Sequence, residues 1–187
     1  MNHELRYSPH PDDVKTYDTS KIRKEFAITN LMTPGEITLV YSLIDRYITA
    51  GAVPTTSQLK LETIDYLKAE YFLQRRELGI INVGSNGTVT ADGTKYHLKN
   101  KDALYIGKGT KEIYFSSDDA DSPALFYLNS TPAHVTFPTK HISKEEAEIV
   151  HLGSLENSNE RQINKLIVNS IVETCQLQMG MTQMKKG

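Results

Sequence analysis

The feature that most restricts the fold of this sequence is a series of short apolar segments that recurs about every eight to twelve residues between positions 71 and 128. Each segment is rich in β-branched or aromatic residues and is bounded by Gly, Asp, Ser or Pro, which is typical of strands separated by turns. Asp92-Gly93 lies between two such segments and is a strong signal for a two-residue hairpin turn. The pattern predicts a mainly β protein in which Tyr71 to Leu128 form an antiparallel β-barrel.

The segments before this core have a different character. Residues 1–30 are polar, and a helix-start signal near Thr19 predicts a short helix that runs through Phe26. We expect residues 1–30 to form an N-terminal arm. From Ile37 to Ile48 the sequence is rich in β-formers, which predicts two strands with a kink at the start of the barrel domain, residues 31–140.

Downstream of the barrel domain the pattern changes again. Ser143 and Glu146 have the spacing of a capping box, which predicts a short helix through Ile149 within a linker of residues 141–172. Residues 173–187 contain alternating apolar and polar positions, which is the period of a half-buried strand. Because a strand needs neighbours, we expect this segment either to close the existing sheet or to open a second domain.

Net charge, hydropathy and cysteine content limit the partners and the location that we expect for the chain. Its 21 Lys and Arg against 23 Asp and Glu lack the basic excess that phosphate backbones require, so we expect no nucleic-acid partner. No apolar run approaches the roughly 20 residues that a bilayer requires, so we expect no membrane segment. The single cysteine, Cys175, cannot form an internal disulfide, which favours a cytoplasmic location.

The usual sequence signatures of catalysis are missing. The six histidines show neither H-x-H nor H-x-x-x-H spacing, so we expect no metal ligands in this chain. Cys175 has no histidine beside it, and we interpret it as a small core residue rather than a nucleophile. The catalytic residues, including the general base, therefore stay unassigned.

One pair of motifs resembles the two signature hairpins of cupin barrels. In the first, Glu77 is followed by six residues and then Gly84, and Tyr71-x-Leu73 occupies the position of the metal-binding H-x-H. In the second, Gly107-x-Gly109-x-x-Glu112 has Glu where cupins carry His. The resemblance implies a double-stranded cupin β-barrel whose metal site has been lost.

The candidate pocket residues of this barrel are Tyr71, Arg75, Glu77 and Glu112. Strand alternation predicts that Tyr71, Arg75 and Glu77 share one face with Leu73, inside the barrel. These side chains supply too few donors for a metal ion, because only the two carboxylates can act as ligands. Two interpretations stay open: a functional pocket, or a structural plug in which Arg75 or Arg76 pairs with a carboxylate such as Glu77 or Glu112.

Several longer segments resemble the 5-keto-4-deoxyuronate isomerase family, whose members are bacterial enzymes of pectin breakdown. The matching segments are residues 40–46, 71–82, 102–109, 132–134, 138–140 and 173–180. The resemblance implies two tandem cupin barrels, a homohexamer, and a zinc ion held by an H-x-H…E…H set in the second barrel. We expect this chain to be the metal-free first barrel plus the opening strand of the second, residues 173–187, as either a truncated chain or a natural fragment.

The resemblance also implies an activity. These enzymes of uronate metabolism convert the aldose 4-deoxy-L-threo-5-hexosulose uronate to the ketose 3-deoxy-D-glycero-2,5-hexodiulosonate by metal-assisted proton transfer between adjacent carbons. Because the metal ligands are absent, we expect this chain to be the scaffold and oligomerisation half of the isomerase and to be inactive alone. The alternatives are a non-enzymatic cupin module that binds a small sugar acid or a partner chain, and a structural β-barrel without a ligand.

Overall fold

Strands dominate the computed structural model, which describes residues 1–185. The strands are β1 (Asn2–Arg6), β2 (Ile37–Ser42), β3 (Ile48–Ala52), β4 (Leu59–Lys60), β5 (Arg76–Asn82), β6 (Gly87–Ala91), β7 (Thr94–Leu98), β8 (Ala103–Ile106), β9 (Ile113–Ser117), β10 (Phe126–Pro132), β11 (Lys140–Ile142), β12 (Glu148–Leu152), β13 (Arg161–Ile167) and β14 (Met179–Met184). The helical elements of this part of the chain are α1 (Pro11–Val14), α2 (Thr19–Phe26) and the 3-10 turns Asp65–Leu67 and Lys144–Glu146. No helix within these residues has the length and apolar character needed to cross a membrane.

Two sheets enclose the main hydrophobic core. A seven-stranded sheet has the order β1-β2-β3-β10-β5-β8-β11, and a four-stranded sheet has the order β4-β9-β6-β7. Side chains from both sheets form one buried cluster, in which the rings of Phe115 and Phe126 lie 5.3 Å apart. This arrangement confirms the prediction of a mainly β, cupin-type fold. Within residues 1–185 no hydrogen-bonded ladder joins the two sheets, so they form a sandwich rather than a closed barrel.

The tight turn at Asp92-Gly93 is confirmed. Both residues have positive φ, 45° and 84°, which is the conformation of a type I′ turn. Strands β6 and β7 pair antiparallel on either side of it, beginning with Ala91 opposite Thr94. The strand pairings that β5, β6, β8, β9 and β10 make with one another are also antiparallel, as predicted.

The N-terminal segment contributes a strand and is not only an arm. Strand β1 pairs in parallel with β2 and forms one edge of the seven-stranded sheet. The predicted helix is α2, which is capped by Asp18 accepting a hydrogen bond from the Lys21 N–H. The two predicted strands after it are β2 and β3, although β3 begins only at Ile48, where the predicted stretch ends. Their connection contains Arg46 in the left-handed region, with a φ of 52°.

A third sheet covers the outer face of the seven-stranded sheet. Its order is β12-β13-β14. Leu166 and Met179 from this third layer pack with Ile81 and Tyr105 of the large sheet in a second buried cluster. The approach is so close that a Cβ atom at Gly79 would overlap the Met179 Sδ.

Two local predictions in this region are wrong. The capping box of Ser143 and Glu146 forms, but only a 3-10 turn follows it, and the chain enters β12 instead of continuing as a helix. The pairing of β12 with β13 outweighs the local cap. The expected strand from residue 173 begins only at Met179, because residues 175–177 donate to the Glu77 carboxylate instead of to a neighbouring strand. The last two positions of the predicted segment, 186 and 187, lie outside the described residues.

Candidate functional site

Arg76 begins β5 and points into the space between the two sheets. Along β5, Leu78 and Ile80 belong to the core between the sheets, whereas Ile81 belongs to the cluster on the outer face. Because side chains alternate along a strand, Arg76 shares the inner face with Leu78 and Ile80. Its exposed fraction is only 5%. A charged side chain therefore lies at the border of the main core.

Three hydrogen bonds hold the Arg76 guanidinium, and all three acceptors are uncharged. Nε donates to Ser130 Oγ at 3.1 Å, and Nη2 donates to the backbone oxygens of Ser130 and Arg46, both at 2.7 Å. The guanidinium also lies 5.7 Å from the centre of the Tyr41 ring, within the range of a cation–π interaction. The third nitrogen, Nη1, makes no hydrogen bond to the described residues. The group is thus fixed in orientation and keeps one nitrogen available.

Arg76 lines a pocket of about 360 Å³, which we call the arginine pocket. Its charged and aromatic lining residues are Tyr41, Arg46, Tyr66, Phe72, Arg75 and Arg76. No Asp or Glu of the described residues lines it. Within residues 1–185, none of its three arginines forms a salt bridge. The pocket therefore carries positive charge without a protein counter-charge.

The pKa of Arg76 reflects these surroundings. Burial, reinforced by the positive charge of Arg46 and opposed by Tyr41, lowers the pKa of Arg76 to about 10. The side chain is still protonated at neutral pH. Because a buried cation without an opposite charge is costly, the arginine pocket favours a bound anion.

Arg75 is the one predicted pocket residue that lines this pocket. Its Nη2 donates to the backbone oxygens of Leu67 at 2.7 Å and Lys68 at 2.6 Å. These bonds hold the 3-10 turn Asp65–Leu67, which carries Tyr66, at the rim of the pocket.

The predicted strand face of Tyr71, Leu73, Arg75 and Glu77 is wrong. Strand β5 begins at Arg76, so Tyr71 and Arg75 precede it, and its alternation places Arg76 inside and Glu77 outside. Neither Arg75 nor Arg76 pairs with a carboxylate in the described residues, so the expected structural plug is not formed.

Tyr71 and Glu112 lie away from the arginine pocket. Tyr71 is half-buried in the turn before β5 and does not line the pocket. Glu112 is exposed, and its carboxylate accepts hydrogen bonds from Lys60 Nζ at 3.5 Å and from the Tyr114 hydroxyl at 3.2 Å. Its position just before β9 places it on the four-stranded sheet instead.

Glu77 is fully buried on the outer face of β5, with an exposed fraction of 0%. Its Oε1 accepts hydrogen bonds from Thr131 Oγ1 at 3.2 Å and from the backbone N–H groups of Gln176 at 2.8 Å and Leu177 at 2.9 Å. Its Oε2 accepts from the Tyr105 hydroxyl and the Cys175 N–H, both at 2.8 Å. We call this arrangement the Glu77 clamp, because it attaches residues 175–177 to the large sheet.

The clamp perturbs the pKa of both of its titratable groups. Burial by itself would raise the pKa of Glu77, but the hydrogen bonds from Cys175, Gln176, Tyr105 and Leu177 together outweigh it and lower the pKa below its ordinary value. Burial and the neighbouring carboxylate raise the pKa of Tyr105. Glu77 is therefore ionised, and both of its oxygens are occupied by the protein itself, so it serves as a structural anchor rather than a base.

Sequence reasoning missed Tyr41, Arg46, Tyr66 and Phe72. They come from the end of β2, the β2–β3 connection, a 3-10 turn and the turn before β5, and only the folded chain brings them together. One local signal was available. Two consecutive arginines stand where a fully buried strand begins, Arg75 just before it and Arg76 as its first residue, which is an unusual place for charge.

The described residues do not fit a metal ion. No group of three or more His, Cys, Asp or Glu side chains in residues 1–185 lies close enough together to hold one. The space between the sheets instead presents Arg76, whose guanidinium donates hydrogen bonds and has no lone pair for a cation. We therefore derive no metal chemistry from these residues.

Comparison with known proteins places the chain in a family. Residues 29–187 match the KduI/IolB family. The chain is 59% identical over 185 residues to the 4-deoxy-L-threo-5-hexosulose-uronate ketol-isomerase of Formosa agariphila, covering 99% of this chain and 66% of that protein. It is 56% identical to the protein of the same name from Lachnoclostridium phytofermentans, covering 98% of this chain and 67% of that protein. The chain thus spans about two-thirds of the length of these relatives.

A solved structure supports the fold independently. The crystal structure of an IolB-like protein from Salmonella typhimurium LT2 superposes with a TM-score of 0.51 at 15% identity, covering 68% of this chain and 46% of that chain. At this identity the likeness concerns the fold alone. The match over residues 29–187 shows that this chain belongs to the KduI/IolB family.

Proposed function

We propose that this chain is the scaffold and oligomerisation half of a ketol-isomerase that converts 4-deoxy-L-threo-5-hexosulose uronate to 3-deoxy-D-glycero-2,5-hexodiulosonate in pectin breakdown. The observation that carries the proposal is the 59% identity, over 99% of this chain, with the Formosa agariphila protein of that name. Identity at this level over nearly every position supports a shared fold and a shared enzyme context.

The reaction moves one proton between adjacent carbons and needs no external oxidant or reductant. A base removes the proton from the carbon that bears the hydroxyl, and the enediolate that forms must be stabilised until the neighbouring carbon is protonated and the hydroxyl proton has passed to the former aldehyde oxygen. The two candidate carboxylates are poorly suited to this task. Glu77 is buried with both oxygens hydrogen-bonded, and Glu112 lies outside the arginine pocket. We therefore assign the chemistry, and the zinc ion that the family resemblance implies, to the part of the relatives' length that this chain does not span.

The structure supports a role in assembly. Strand β14 pairs with β13 on one side, and its other edge makes no strand pairing within the described residues. An unpaired edge is suited to extension by another strand. The exposed side chains of Leu152 and Met184, which both lie opposite Arg161 in the ladder, share one face of this sheet and offer apolar surface for a neighbouring layer. We propose that this sheet continues into the catalytic part of a homo-oligomeric enzyme, a hexamer by family resemblance.

A fusion protein tests the proposed function. The segment of the Formosa agariphila relative that lies beyond its region of similarity to this chain is fused after Gly187, and isomerase activity is measured on the uronate substrate. We expect the fusion to be active and to lose activity on treatment with a chelator, and the chain alone to be nearly inactive. Turnover by the chain alone at an ordinary enzymatic rate, unaffected by chelator, would refute the scaffold role, and Glu77 or Glu112 would then have to be the base.

A second candidate function is a non-enzymatic cupin module that binds a small sugar acid or a partner chain. The unpaired positive charge of the arginine pocket favours it, since that charge suits binding and lacks a base. The same fusion protein discriminates between the two functions. A well-folded fusion that binds the uronate but does not isomerise it would support the binding module.

A further inference from the structure

We propose that the arginine pocket binds the carboxylate group of a small sugar acid, at a site within this chain where no chemistry takes place. The choice of a carboxylate rests on the guanidinium groups alone. The choice of a sugar acid rests on the proposed function, whose substrate is a uronate.

The charge of the arginine pocket favours an anion. Arg46, Arg75 and Arg76 line one pocket of about 360 Å³, and no Asp or Glu of the described residues lines it. Arg76 is 5% exposed, so water compensates its charge poorly. Placing a carboxylate there removes the repulsion between neighbouring guanidinium groups and supplies the missing counter-charge.

The Arg76 guanidinium is preorganised for a ligand. The guanidinium of Arg76 is fixed by bonds to Ser130 and to the Arg46 backbone, and its Nη1 keeps its hydrogens free. Arg46 holds a left-handed backbone conformation, with a φ of 52°, beside this group. Its side chain makes no hydrogen bond to the described residues, so it can turn toward a ligand without breaking a protein contact. A planar fork fixed in advance loses little entropy when it binds a carboxylate.

The remaining lining of the arginine pocket suits the rest of a sugar acid. Tyr41 and Phe72 form buried aromatic walls, and Tyr66 lies at the rim with an exposed fraction of 53%. The ring of His3 contacts that of Tyr66 edge-on, with centroids 6.1 Å apart. A volume of about 360 Å³ falls within the usual range of small-molecule sites, about 300–1,000 Å³. Aromatic walls with tyrosine hydroxyls suit the carbon skeleton and hydroxyl groups of a sugar acid.

The size and concave shape favour a free small molecule over a carboxylate side chain of a second copy. The buried Arg76 and the exposed Arg46 and Arg75 line one volume of about 360 Å³, which a small sugar acid can occupy. Binding of a carboxylate side chain from a second copy in this pocket would therefore contradict the proposal.

The test is a titration of the 187-residue chain with D-galacturonate, in which binding is measured by calorimetry and by NMR chemical shifts. D-Galactose, which has the same ring and no carboxylate, is the matched ligand control. We expect saturable binding of galacturonate, no saturation with galactose, and weaker binding as salt is raised. Equal binding of the two sugars, or no saturation by galacturonate, would overturn the proposal.

Arg46→Gln is the informative variant, because the Arg46 side chain has no hydrogen bond to the described residues to lose. Arg23→Gln on the exposed face of α2 changes the net charge equally and serves as the control. We expect Arg46→Gln to weaken galacturonate binding about tenfold, the loss of one good charge-assisted contact, and Arg23→Gln to leave it unchanged. Equal effects of the two variants would contradict a specific site.

The oligomeric state is measured for the same variants. If Arg46→Gln changes the dissociation of an oligomer and leaves galacturonate affinity unchanged, the pocket accepts a side chain of a second copy and the proposal fails. These measurements use binding to the chain alone, whereas the proposed function is tested by turnover of the fusion protein. Failure of the proposed sugar-acid site is therefore distinguishable from failure of the proposed function.

Discussion

Replacing the buried carboxylate of the Glu77 clamp should destabilise the protein. The change is Glu77→Gln, which keeps the shape and turns one acceptor oxygen into a donor amide. Since Oε1 accepts three hydrogen bonds and Oε2 accepts two, we expect the amide nitrogen to take the Oε2 position. The Tyr105 hydroxyl can rotate to accept from it. The Cys175 N–H cannot, and it becomes a part-buried donor without an acceptor.

The contacts of Glu77 give the size of the expected loss of stability. A buried donor left without a partner costs about 1–3 kcal/mol, and each bond that loses its charged acceptor weakens by about 1 kcal/mol. Three bonds weaken in this way, those from Thr131, Gln176 and Leu177. Removal of a buried charge returns part of this cost, because a neutral amide is cheaper to bury. We expect a loss of about 3 kcal/mol in the free energy of unfolding, a large share of the total of about 5–15 kcal/mol for a typical domain.

Urea unfolding at pH 7 measures this loss. Glu112→Gln is the matched control, because its carboxylate is exposed, and we expect a change within about 0.5 kcal/mol. The reactivity of Cys175, the single cysteine of the chain, toward a thiol reagent gives a local readout. We expect faster labelling in Glu77→Gln, because the clamp holds residues 175–177 against the sheet. A stability equal to that of Glu112→Gln would refute the clamp.

The clamp also predicts a dependence on pH. The pKa of Glu77 in the folded chain lies below its ordinary value, so the unfolded chain binds the proton more readily. The contribution of Glu77 to stability is complete above the unfolded pKa of about 4.3, and it is lost as the pH falls through the folded pKa. In urea unfolding, the parent chain should therefore lose stability more steeply below about pH 5 than Glu77→Gln does. Parallel profiles would contradict an ionised Glu77.

Two further predictions follow from packing and assembly. Gly107→Ala should lower the free energy of unfolding by about 2 kcal/mol or more, because its Cβ would overlap the backbone oxygen of Phe137. The neighbouring Lys108→Ala should change stability little, and thermal unfolding compares the two variants. The chain should associate with itself through the open edge of β14, which light scattering across a wide concentration range would detect; a clean monomer throughout would count against the proposed assembly role.

The elements that the sequence predicted correctly depend on residues within a few positions of one another. The turn at Asp92-Gly93 needs only positive φ at two adjacent positions, and Gly tolerates it at the second. The helix α2 is capped by Asp18, three residues before the N–H that it accepts from. Such features are decided locally, so a single sequence is enough to find them.

The predicted inner face of β5 was wrong for a reason that lies outside any local window. The side-chain period of a strand is two, so an error of one residue in orientation moves every side chain to the other face. The partners of β5 decide that orientation. Strand β10 pairs Arg76 with Pro132 at one end of the ladder, and Leu78 and Ile80 turn toward the four-stranded sheet. Residues 71–75 read as strand in the sequence, but they make no such pairing and form a turn.

By itself, the sequence determined the mainly β class, the hairpin, the N-terminal helix and the resemblance to an isomerase family, because these follow from periodicity, turn chemistry and long matching segments. Only the tertiary structure decided the roles of the charged residues. The Glu77 clamp joins groups 98 to 100 positions apart. The arginine pocket gathers side chains from three strands, β2, β5 and β10, and from the β2–β3 and β4–β5 connections. Whether a buried charge is an anchor or a site depends on which partners reach it, and those partners are set by how the sheets pack rather than by neighbours in the chain.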